Sequence, residues 1–85
     1  MLLKDYLRDK RVSAGFDLSE ASQQLGYQDF KFLSNVELGI KLPTTDLLLK
    51  MCDVYGVSPA EMREVYINEA KSRATASAAE RWDND

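Results

Sequence analysis

A chain of 85 residues makes one domain at most and buries only ~60–65% of its unfolded surface, so its core has to be simple. A single cysteine excludes an internal disulfide, and the lack of histidine removes the usual general base and the commonest metal ligand. The net charge is −3, and all of it sits in the second half: residues 1–43 hold six basic and six acidic side chains, residues 44–85 five and eight. The first half is neither acidic nor strongly attractive to phosphate. No apolar run approaches the ~18 residues of a membrane span, and no charged-then-apolar leader is visible. A reducing, cytoplasmic setting is the expectation. Two prolines and four glycines leave few breakers, which suits several short helices better than a sheet.

In chain order, Leu3, Leu7 and Ala14 with Tyr6 mark the inner face of a first helix over about residues 2–14, and Gly15 ends it. Asp17 followed by Glu20 reads as a capping box opening a second helix that runs to about Leu25, with Leu18, Ala21 and Leu25 inward. Gly26 opens a turn. Asp29 is placed to cap a third helix over about residues 30–37, with Leu33 and Val36 inward and Gly39 after it. Pro43 and Thr44 announce a fourth helix over about residues 45–55, where Leu48, Leu49, Cys52 and Tyr55 form the stripe and Gly56 the stop. Ser58-Pro59-Ala60-Glu61 carries a cap, a proline at the first helical position and a closing glutamate. The fifth helix then carries Met62, Val65 and Tyr66 and continues to about Arg73. The alanine-rich, polar remainder reads as a frayed helix or a disordered acidic tail. The expected division is 1–67 for the domain and 68–85 for the extension.

Five short helices with this punctuation resemble the DNA-binding domain of the lambda repressor and Cro (XRE) family. The residues that carry the likeness are Leu7-Arg8-x-x-Arg11-x-x-x-Gly15, Leu25-Gly26, Leu33-Ser34-Asn35-Val36-Glu37-x-Gly39, Pro43, Leu48 to Cys52, and Gly56-Val57-Ser58. One extra residue around Tyr27-Gln28-Asp29 fits a variant of that pattern. The resemblance implies an all-α, five-helix lambda-repressor-like domain with a short C-terminal extension, a helix-turn-helix whose second helix enters the DNA major groove.

On that analogy the third helix reads DNA. Leu33 and Val36 point inward, so Lys31, Ser34 and Asn35 face out and are the candidates to reach base edges. Lysine suits guanine acceptors, and asparagine can pair bidentately with adenine. Gln28 and Phe30 stand at the helix entrance, where Phe30 can rest on a thymine methyl. Packing on the domain's shoulder is the competing role for Phe30 and Phe32. Phosphates are assigned to Lys41 and to the amides opening helix two (Leu18, Ser19) and helix four (Thr44, Thr45). Arg11 and Glu37 occupy family positions of a structural ion pair between helices one and three. Two departures bear on affinity: Leu18 stands where a phosphate-binding glutamine is usual, and the loop after helix three holds one lysine where two or three cations are common. Fewer phosphate contacts imply a shallow salt dependence.

Cys52 reads as a small core hydrophobe rather than a nucleophile, since no histidine can activate it. Glu61 and Glu64 read as a solvated face. Trp82 either lies unpacked or anchors a partner. No metal or cofactor is expected, and no enzyme. The function implied is a transcriptional regulator, a repressor of Cro/C1 type, binding double-stranded DNA as a homodimer on an inverted-repeat operator, with a protein partner conceivable at helix five and the tail. Its rivals are an interaction module of the same fold, such as an antirepressor or DNA mimic, and the antitoxin of a toxin–antitoxin pair.

Overall fold

The computed structural model describes the backbone of residues 1–84 and the side chains through Arg73. Five helices follow one another: α1 Leu3–Ser13, α2 Leu18–Gln24, α3 Lys31–Glu37, α4 Thr45–Tyr55 and α5 Pro59–Asn84. No strand interrupts them among the described residues. The family expectation of an all-α domain is met. α5 crosses Ile67–Asn68 without a break and continues as helix to Asn84. Trp82 lies outside the residues whose side chains are described.

Capping chemistry sets the boundaries. At α2, the Asp17 carboxylate accepts the Glu20 amide at 2.7 Å, and the Glu20 carboxylate accepts the Asp17 amide at 3.3 Å, a closed capping box. Thr44 accepts the Leu47 amide through its hydroxyl at 3.2 Å and starts α4. Asp29 accepts the Lys31 amide at 3.0 Å just ahead of α3. The box expected at α5 does not close. Pro59 begins the helix as expected, but Ser58 contributes only its carbonyl, which accepts the Met62 amide at 3.1 Å. Glu61 instead approaches Lys10 at 3.8 Å, drawn off by a cation on α1.

The first three helices end alike. After α1, the Gly15 amide donates to Val12 and the Phe16 amide to Arg11; after α2, Gly26 to Gln23 and Tyr27 to Ser22; after α3, Gly39 to Val36 and Ile40 to Asn35. This Schellman arrangement satisfies the last carbonyls and turns the chain sharply through a left-handed residue.

α1 is the hub, packing on α3, α4 and α5, while α2 leans on α3. The core consists of Leu3, Tyr6 and Leu7 from α1, Ala21 and Leu25 from the α2 region, Leu33 and Val36 from α3, and Leu47, Leu48, Met51, Cys52 and Tyr55 from α4, closed by Met62. Two expectations about this core are corrected. Leu49 is exposed and the α4 stripe runs through Leu47 and Met51 instead, because three successive leucines cannot all face one side of a helix. Ala14 is also exposed, since it is the C-cap of α1 and lies past its last inward turn. Cys52 is buried, and burial pushes its thiol pKa up, which disfavours the reactive thiolate.

Candidate nucleic-acid interface

α3 is only seven residues long, so its orientation depends on how it is held. Leu33 and Val36 fix its inner side in the core. Its end is braced by a buried ion pair. Arg11 on α1 donates from Nε to Glu37 Oε2 at 2.8 Å and from Nη2 to Glu37 Oε1 at 3.0 Å, a bidentate fork. The third donor, Nη1, reaches the Phe16 carbonyl at 2.9 Å. Both side chains are more than nine-tenths buried. The hydrogen bonds to Glu37 raise the Arg11 pKa, so its positive charge is permanent.

With that side fixed, Lys31, Ser34, Asn35 and Leu38 follow one another along the outer face at helical spacing. Lys31 is exposed, and Ser34 and Asn35 are half-buried. None of these three side chains makes a hydrogen bond or ion pair with another described residue, so their polar ends are available to a ligand. Gln28 is exposed in the turn ahead of the helix. The two phenylalanines separate: Phe32 stacks on Tyr27 with ring centroids 5.0 Å apart, whereas Phe30 stays 48% exposed at the helix entrance. Shoulder packing therefore describes Phe32 and not Phe30.

The loop after α3 is tied to the same helix. The Asn35 carbonyl accepts the amides of Ile40 at 2.9 Å and Lys41 at 3.2 Å. One residue thus projects an amide side chain outward and anchors the loop that carries the exposed Lys41. The helix starts differ in their electrostatics. At α2, Leu18 is half-buried against the core and Ser19 is exposed, but the carboxylates of Asp17 and Glu20, bound to the Glu20 and Asp17 amides, already place negative charge at this helix start. Those amide bonds hold the Asp17 carboxyl below the usual carboxylate range, so it is charged. Thr44 and Thr45 are exposed at the start of α4, with Asp46 in the first turn.

The sequence reading missed one residue beside this surface. Arg8 shares with Leu18, Ser34, Glu37 and Leu38 an open cleft of about 250 Å³. Its position three residues before Arg11, on the adjoining turn of α1, is the signal that could have found it. The loop holds a further surprise: Leu38, Ile40 and Leu42 are all exposed.

A short helix steadied by a buried core and an ion pair, preceded by a tight turn from another short helix and presenting a polar outer stripe, defines a helix-turn-helix domain of the DNA-binding class. A family profile described as a helix-turn-helix domain matches residues 3–65, and the chain belongs to that family. The match agrees with the lambda repressor and Cro resemblance. The chain matches no curated protein and no solved structure. Among the described residues no helix is long and apolar enough to cross a membrane, and no group of His, Cys, Asp and Glu side chains is arranged to hold a metal.

Proposed function

We propose that this protein is a sequence-specific transcriptional regulator that represses by binding an inverted-repeat operator as a homodimer, without catalysis or a cofactor. The observation that carries the reading is the outer stripe of α3, where Lys31, Ser34 and Asn35 project polar groups with no partner in the described molecule. Lys31 and Asn35 reach base edges in the major groove, with Ser34 between them and Gln28 and Phe30 at the entrance. Lys41 and the amides of Thr44 and Thr45 take phosphates. The amides of Leu18 and Ser19 do so against the local charge of Asp17 and Glu20.

The dimer surface is the apolar groove of about 330 Å³ between α4 and the start of α5, walled by Leu48, Leu49, Pro59, Met62 and Tyr66. It leaves Leu49 exposed in the monomer. A second copy covering it would place two reading helices for two half-sites. Selection of bound sequences from random duplex DNA tests the whole reading. A palindromic motif is expected, and Asn35→Ala should abolish the preference at one position per half-site, worth about 1–3 kcal/mol, with other positions retained. Absence of any enriched motif counts against it.

The exposed Leu38, Ile40 and Leu42, standing where cations are common, favour a second reading as a protein-interaction module of the same fold. A folded protein with no affinity for any duplex at low salt would select that reading.

A further inference from the structure

Three cations from three separate elements converge on one open pocket of about 240 Å³: Lys4 from α1, Lys41 from the α3–α4 loop and Arg73 from α5. Among the described residues Glu69 is the one acid on its wall. That carboxylate is already engaged twice. Its Oε1 accepts the Leu3 amide at 3.2 Å, and its Oε2 meets Arg73 Nη2 at 3.4 Å. The first of these contacts is a helix cap delivered from across the fold. Leu2 offers α1 no side-chain acceptor, so α5 supplies one from 66 residues away. The bond seats the continuation of α5 beside the loop that follows the reading helix. Lys4 is held against that loop as well: a Cβ on Gly39 would lie 3.1 Å from Lys4 Cδ and 3.7 Å from its Nζ. The ammonium therefore rests on the loop that carries Lys41.

Three positive charges against one carboxylate leave a local excess of two in an otherwise acidic protein. The rest of the wall is largely apolar, with Leu3, Leu7 and Leu42, and a concave low-dielectric surface focuses such a field outward. We propose that Lys4, Lys41 and Arg73 form a DNA-backbone phosphate site, so that the interface extends past α3 and its loop onto the first turn of α1 and the continuation of α5. The proposal rests on the DNA-binding reading above. It supplies the phosphate contacts that the single lysine of the loop and the acid-capped start of α2 lack.

The test is the salt dependence of binding to a mixed-sequence duplex and to the selected operator. Lys4→Met keeps the aliphatic stem over Gly39, and Arg73→Gln removes the second charge. Each should make the slope of log affinity against log salt shallower by roughly 0.9, and the pair by roughly twice that. Helix content and melting temperature should hold, and so should the preference for operator over scrambled duplex. Glu69→Gln, which retains an acceptor for the Leu3 amide, should tighten binding at low salt. A double variant with the wild-type slope overturns the pocket while leaving α3 as the reader, provided Lys31→Ala and Asn35→Ala still alter binding. Wild-type protein without affinity for any duplex at low salt overturns both.

Discussion

Among the described residues three buried hydroxyls make no hydrogen bond to the protein: Tyr6, Ser22 and Tyr55. A buried polar group without a partner costs stability, so removing it is cheap. Tyr55→Phe is expected to leave the neutral-pH stability unchanged or raise it by about 1 kcal/mol, read as the midpoint of urea unfolding. The two phenols also predict a response to alkali. Burial is the main cause that pushes both pKa values up to about 12; for Tyr6 the neighbouring Glu61 carboxylate adds to it. An unfolded tyrosine ionises near about 10, so the unfolded chain gives up these protons first. Stability from this source is complete below pH ~10 and falls as the pH climbs toward about 12. Tyr55→Phe should flatten that fall in a series of thermal melts. An unchanged alkaline slope would remove Tyr55 from the account. The Arg11–Glu37 pair carries a different expectation. Truncating either partner strands a buried charge and should cost about 3–5 kcal/mol, whereas the double alanine variant should cost much less than the sum. Additive losses in that cycle would mean the fork contributes no coupling.

At the scale of the helices, the start of α2 predicts a gain of function. Asp17→Asn keeps an acceptor for the Glu20 amide and removes a charge from the helix end nearest the expected backbone of the duplex. Binding should tighten several-fold at low salt, and the gain should shrink as salt rises. Equal binding at every salt concentration would show that this helix end does not face phosphate. Helix order and the ends of the first four helices were legible in the sequence because glycine, proline and side-chain caps act within four or five residues. The Asp17–Glu20 box and the Thr44 cap are local in that sense. The box at Ser58 was misread because Glu61 had a non-local competitor in Lys10. The α4 register was ambiguous for a related reason: Leu47, Leu48 and Leu49 are chemically alike, and only the neighbours of α4 decide which one faces out. The outward set on α3 could be read because Leu33 and Val36 leave one choice of inner face. The places of Lys4 and Arg73 could not, since each depends on an element distant in sequence coming alongside.

For the molecule as a whole, dimerisation and DNA binding should be separable. Leu49→Lys places a charge in the α4–α5 groove at a side chain already exposed, so the monomer should keep its fold. If the proposed homodimer uses this groove, sedimentation should report its loss, and affinity for the selected operator should fall to that of a single half-site. A dimer that survives the substitution would move the interface elsewhere. Phosphate contacts position a protein on a duplex without reading its sequence, so on the proposed function discrimination has to come from how accurately α3 is aimed. That aim is set by the planar guanidinium of Arg11, which joins the end of α1, the turn at Phe16 and the last residue of α3. Lysine at this position would preserve the charge but could brace only one direction. The seven-residue rod would stay helical yet yaw on its seat, and the damage would surface as poorer choice between right and wrong duplexes, measured as the ratio of their dissociation constants, well before the protein melted or let go of DNA.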